Sequence, residues 1–273
     1  MTMLEQSVAL GPVAISLGRL LILMAFLVAL LVGALLGRRQ RTSIGDTLFA
    51  TLLVAIIGAR LAFLTRYWDS YTGPFEMLDI RDGGFDILGG LIAGLAYAAW
   101  RFYRVPEQRR ALIGALVSGL LTWGVTAGSL MIMVDQSRPL PAIALETLDG
   151  RGTDLVTLHE STGEPMVVNL WATWCPPCRR EMPLLGKAQR REDAVTFVFV
   201  NQGESSSRVR VYLNEESLGL DNVLLDPPLA LGERVGAMGM PTTLFYDARG
   251  QLVDTHFGEL SRATLARGLE QLR

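Results

Sequence analysis

Four apolar blocks dominate the first half of the chain, at residues 12–37, 44–65, 85–102 and 111–134, each followed by a stretch that carries charge. A helix needs about 20 mainly apolar residues to cross a bilayer, because its backbone groups must be satisfied within the helix itself. The pattern therefore predicts about four transmembrane helices. The first block follows "MTMLEQSVALG", which has no basic residue, and its apolar run is too long for a signal peptide, so it reads as a retained helix. Beyond Val134 the period changes. The runs "MVVNLWAT" and "AVTFVFVN" are short, β-branched and aromatic, as buried strands are, while "RREMPLLGKAQRRE" between them sets Met182, Leu185 and Ala188 at helical spacing. Strand, helix, strand in this order predicts a right-handed crossover and a parallel pair. "TTLFYDARGQLVDTHFG" predicts a hairpin turning at Ala248 to Gly250, and "SRATLARGLEQL" a final amphipathic helix with Ser261 as its N-cap. The expected organisation is a multi-pass α-helical membrane domain over residues 1–134, a polar linker with two prolines, "DQSRPLP", over 135–141, and an α/β domain over 142–273.

Charge sets the orientation. Basic residues in short loops stay on the cytoplasmic side. Arg38, Arg39 and Arg41 follow the first block, and Arg101, Arg104, Arg109 and Arg110 follow the third; the loop at 66–84 has Arg66 and Arg81 against Asp69, Glu76, Asp79 and Asp82. Four spans then put both chain ends outside the cytoplasm, in a periplasm or its equivalent. Small residues at helical spacing (Gly33 with Gly37, Gly90 with Gly94, Gly114 with Ser118, Gly124 with Gly128) suggest a packed bundle. Arg19 and Arg60 fall within spans and need a polar environment or a partner, for which Asp86 is a candidate near Arg60. A net charge of -2 gives no basic face for nucleic acid, and that class is set aside.

The chain has two cysteines, both in "NLWATWCPPCRREMP". A C-x-x-C pair serves as a redox dithiol, as half a zinc site or as a structural staple. Zinc wants four ligands, and the two histidines, His159 and His256, stand apart. A staple closing so short a loop stabilises little. The redox reading is preferred, with no metal and no cofactor beyond the Cys175–Cys178 pair. A thiolate at a helix start is stabilised by the macrodipole and free N–H groups, which makes Cys175 the attacking sulfur and Cys178, one turn on, the resolving one. Pro176 and Pro177 remove N–H donors, which favours a more reducing pair.

Two resemblances add to this reading. "VVNLWATWCPPCRREMP", "GMPTTLFYDARGQLV" and "HFGEL" resemble the TlpA/ResA branch of thioredoxin-like thiol-disulfide oxidoreductases, from about Pro139 to Arg273. The resemblance implies a thioredoxin-like fold, a cis Met240–Pro241 bond against the disulfide that exposes the Met240 backbone to a substrate peptide, and Glu181 as a partly buried acid that takes the proton from Cys178. Of the tryptophans that flank the site, Trp174 is expected to cover the disulfide and, with Met240 and Pro241, to bind substrate, and Trp171 to lie in the core. It also implies disulfide- or thiol-containing periplasmic proteins as partners and a membrane electron donor of the DsbD type. "GPVAISLGRLL", "GARLAFL" and "RDGGFDILGGLIAG" resemble the early helices of prolipoprotein diacylglyceryl transferase, from about Gly11 to Gln136. Where that family has a histidine before the Gly-Gly pair this chain has Leu88, and Ser129 stands near the place of a later arginine, so acyl transfer is not expected. The combined expectation is an oxidoreductase tethered in the bacterial inner membrane by several spans, its redox domain periplasmic and reducing disulfides of target proteins. A periplasmic thiol oxidase, or a lipid- or lipoprotein-binding membrane module with an accessory redox domain, stays open.

Overall fold

The computed structural model describes the backbone of residues 7–10, 13–133, 138–237 and 239–273 apart from 41–42, and side chains from residue 20 onward except 39–42, 129–137 and 238. Arg19, Arg39, Arg41, Ser129 and the first part of the expected linker lie outside the described side chains. The chain divides into two compact units. One comprises Met1–Trp68 with Gly84–Asp135, the other Asp69–Gly83 with Gln136–Arg273.

In the first unit, strands β1 (Ser7–Leu10) and β2 (Val13–Ser16) pair antiparallel, and helix α1 runs over Leu17–Gln40. The first apolar block was expected to be helical from Pro12; the helix starts five residues later because β-branched Val13 and Ile15 join a hairpin that satisfies their backbone across the strand pair. Helix α2 (Gly45–Arg66) packs along a later helix, Ile87–Arg104, and α1 along the last, Arg109–Met133. Among the described residues, three segments are long and apolar enough to cross a membrane: Leu20–Arg38, Gly45–Arg66 and Pro106–Gly128. The helix Ile87–Arg104 misses that mark, since it is 18 residues long and ends in Arg101 and Arg104.

Small residues set the helix contacts, though not all the expected pairs do so. A Cβ on Gly58 would lie 2.3 Å from that of Ala93, and one on Gly89 2.2 Å from that of Ala62, so backbones there approach too closely for any side chain. Gly90 and Gly94 meet Ala59 and Ala55 in the same seam, and Gly33 meets Ala115. Gly124 and Gly128, by contrast, have no described atom within 4 Å of the point where a Cβ would stand, so that pair makes no helix contact among the described residues. Asp86 accepts from the Gly89 N–H at 2.7 Å as an N-cap, while Arg60, buried, donates to the Gly84 carbonyl at 2.7 Å. The two residues thus serve the same turn through separate backbone bonds, in place of the direct pair the sequence suggested.

The second unit holds α3 (Pro74–Leu78) and then, from residue 138 on, an α/β fold. Its elements are β3 (Leu145–Thr147), β4 (Gly152–Thr153), α6 (Leu155–Thr162), β5 (Met166–Trp171), α7 (Pro176–Gln189), β6 (Thr196–Gln202), α8 (Ser206–Glu215), β7 (Val223–Asp226), α9 (Ala230–Val235), β8 (Thr242–Tyr246), β9 (Leu252–Phe257) and α10 (Arg262–Glu270), the two remaining long helices of the first unit being α4 and α5. The sheet order is β4-β3-β7-β6-β5-β8-β9. The predicted β5–β6 pair is parallel, and β8 and β9 form the predicted hairpin, closed by Asp247 and Gly250. Every residue of β5 and β6 is buried, as apolar runs covered on both faces require. One apolar cluster, with Val167, Trp171, Phe197, Phe199 and Phe245, includes both cysteines. Leu140 is buried and its N–H donates to the Gly250 carbonyl, so the fold takes up chain before residue 142.

Candidate active site

Strand β5 ends at Trp171 and helix α7 begins at Pro176, with Cys175 as its N-cap. Two prolines open the helix, where a missing N–H costs nothing. Cys175 and Cys178 are joined in a disulfide, and the Cys178 N–H points at the Cys175 sulfur at 3.3 Å. Both are buried, at 3% and 0% exposure, whereas the adjoining Trp174 is 63% exposed. The disulfide therefore lies in the core's edge with an aromatic ring standing in solvent beside it. Trp171 is fully buried against Tyr212 and belongs to the core.

Glu181, one turn beyond Cys178, is 1% exposed. One carboxylate oxygen accepts from the Asn169 amide at 2.8 Å, the other from the Leu260 N–H at 2.8 Å. The Asn169 amide also donates to the Thr243 hydroxyl at 2.9 Å. Burial pushes the Glu181 carboxyl up to about 8, and the Leu260 and Asn169 donors oppose that rise while the nearby Glu259 charge adds to it. The Met240–Pro241 bond is cis, Pro241 is buried, and Met240 packs against the cluster that contains the two cysteines. Of the expected site residues, Cys175 and Cys178 lie in this cluster and Met240 packs against it, Glu181 and Pro241 are buried, and Trp174 is exposed.

Several residues here carry no motif. The Asn169 amide and the Leu260 N–H hold Glu181 from a strand and a turn, and Thr243 on a second strand braces Asn169. A second buried carboxylate, Glu204, accepts from the Thr173 N–H at 2.7 Å, the Thr173 hydroxyl at 2.6 Å and the Asn201 amide at 2.8 Å. It pins the segment between Trp171 and Cys175 to the end of β6. Glu204→Ala leaves the Thr173 N–H and the Asn201 amide buried without an acceptor, and is expected to lower stability by about 2–4 kcal/mol. Urea unfolding followed by near-ultraviolet circular dichroism checks this; a change below about 0.5 kcal/mol contradicts the pinning role.

Residues 135–270 match the Redoxin family, and residues 6–131 match the family "Prolipoprotein diacylglyceryl transferase". The chain joins a redoxin domain of the TlpA/ResA/DsbE kind to an N-terminal membrane domain of the diacylglyceryl transferase family. The chain is 27% identical over 184 residues to thioredoxin-like protein YneN of Bacillus subtilis, covering 66% of this chain and 93% of the relative. It is 28% identical over 131 residues to thiol-disulfide oxidoreductase ResA of Halalkalibacterium halodurans, covering 47% of this chain and 72% of the relative. With thiol:disulfide interchange protein DsbE of Pseudomonas fluorescens the identity is 34% over 121 residues, covering 44% and 66%.

Proposed function

We propose that the protein is a membrane-tethered thiol-disulfide oxidoreductase whose redox domain works in the periplasm and reduces disulfides of target proteins. The observation that carries this reading is the Cys175–Cys178 disulfide at the start of α7 with buried Glu181 one turn behind it. In the reduced protein, the Cys175 thiolate attacks one sulfur of a target disulfide, forms a mixed disulfide and expels the other target sulfur as a thiolate. Glu181, as carboxylate, takes the proton from Cys178, whose thiolate then attacks Cys175. That step frees the second target thiol and restores the Cys175–Cys178 disulfide. Trp174 and Met240 receive the target chain beside Pro241. A membrane donor of the DsbD type returns two electrons to the pair.

The reducing direction follows from Pro177, which offers no N–H to stabilise a thiolate and so leaves the disulfide relatively favoured. In the membrane unit, four spans keep both chain ends on one side, with α4 counted as a span because its glycine seam holds it along α2. Leu88, exposed on α4, offers no acid-base group, so the membrane unit acts as an anchor and not as an acyltransferase. A thiol probe that cannot cross membranes tests the topology. Added to reduced spheroplasts, it is expected to label Cys175; labelling only after the inner membrane is broken would put the site in the cytoplasm and contradict the proposal.

A further inference from the structure

Residues Asp69–Gly83, which lie in sequence between α2 and α4, belong to the compact unit that holds the disulfide. This segment is organised by its own polar bonds. The Arg81 guanidinium forks onto the Asp79 carboxylate at 2.9 and 2.6 Å, Glu76 accepts from the Thr72 N–H and hydroxyl at 2.9 and 2.7 Å, and Gly83 turns with φ of 64°. Its last acidic residue, Asp82, is only 8% exposed. A buried carboxylate is costly unless donors meet it. Here the Ser261 hydroxyl donates to Asp82 at 2.9 Å. Ser261 is also the N-cap of α10, accepting from the Thr264 N–H, so the carboxylate stands at the end of a helix where negative charge is favoured. A cavity of about 180 Å³ beside this contact is lined by Tyr71, Glu76, Arg81, Glu259 and Arg262.

The residue before Ser261 is Leu260, whose N–H holds one oxygen of Glu181. The turn 259–261 is thus gripped on several sides. Arg180 pairs with the Glu259 carboxylate, the His256 ring meets the Glu259 carbonyl at 3.3 Å, and Asp82 holds Ser261. We propose that Asp82 is a positioning residue: by anchoring Ser261 it keeps the Leu260 N–H on the Glu181 carboxylate, and so the loop between two membrane helices sets the readiness of the proton acceptor. This rests on the role given to Glu181 above. The groups that bear on Glu181 are Asn169 on β5, the Cys175–Cys178 pair on its own helix, and Glu259 with its partner Arg180; His256 and Asp82 act through the turn.

The test is single-turnover reduction of insulin disulfides by the reduced full-length protein in detergent, from pH 6 to 10. Loss of the Leu260 donor destabilises the carboxylate form of Glu181. Asp82→Ala is therefore expected to move the inflection of the rate upward by about half to one pH unit. Asp82→Asn keeps an acceptor oxygen for Ser261 while losing the charge, and is expected to keep the wild-type inflection. In a Glu181→Gln background, Asp82→Ala is expected to change nothing. An unchanged profile in Asp82→Ala, or equal shifts in Asp82→Ala and Asp82→Asn, overturns the inference while leaving Glu181 in its role. An inflection that survives in Glu181→Gln alone overturns that role and this inference with it.

Discussion

Cys178→Ser is expected to accumulate as mixed disulfides through Cys175, and Cys175→Ser to accumulate almost none. Cys175 caps α7, where the helix end and its N–H groups favour a thiolate, and it alone adjoins the solvent-exposed Trp174. Cys178 has zero exposure and reaches only a sulfur already held at Cys175. Without Cys178 the mixed disulfide has no internal nucleophile to break it. Both variants are expected to lose turnover. Non-reducing electrophoresis of each variant, after acid quenching and alkylation, reads the result. Equal trapping by both, or trapping by Cys175→Ser alone, contradicts the assignment of roles.

Glu181→Gln is expected to slow the reduction of a protein disulfide by about 100-fold above pH 8, with a much smaller effect below pH 7. The sign follows from the burial that lifts its carboxyl to about 8. In the proposed role only the carboxylate accepts the proton of Cys178, so the wild-type rate is expected to rise as pH passes through that value, and glutamine to remove the rise. Stability moves the other way. A carboxyl near 4.5 in the unfolded chain and about 8 in the folded one costs nothing below about 4.5, and lowers stability as pH climbs from there to 8. Glu181→Gln is expected to flatten that part of the stability curve. A rate profile parallel to the wild type's at every pH would leave Glu181 without a part in proton transfer.

The chemistry was legible where it is local. Two cysteines three residues apart, after an apolar run and before a helical one, fix the strand end and helix start on which α7 is built. The i+3 spacing puts Glu181 on the same helix side as Cys178. Its supporting groups were not legible, because Asn169 and the Leu260 N–H stand 12 and 79 positions from it along the chain, and Thr243 stands 74 positions from the Asn169 it braces. Asn169 left a trace: it is the polar residue in a strand that is otherwise apolar and covered on both faces, where it needs a partner. Glu204, 31 residues from Thr173, left none, since a charged residue after a strand reads as a solvated loop. In the membrane half, hydropathy marked four blocks, and among the described residues three of them hold a helix long and apolar enough to cross a membrane. Hydropathy does not separate a helix from a short β hairpin of similar residues, so α1 starts at Leu17 and not at Pro12. Nor does glycine spacing tell which side of a helix meets a neighbour. Gly90 and Gly94 face α2, whereas Gly124 and Gly128 meet no described atom.

The central claim is that Cys175 and Cys178 act as a reductant outside the cytoplasm. Trapping of free thiols in intact cells tests it most directly: acid quench, alkylation, and separation of the reduced from the oxidised protein. The pair is expected to be largely reduced while its membrane electron donor is present and oxidised once that donor is deleted. A pair that rests oxidised with the donor intact would contradict it and make the protein a thiol oxidase.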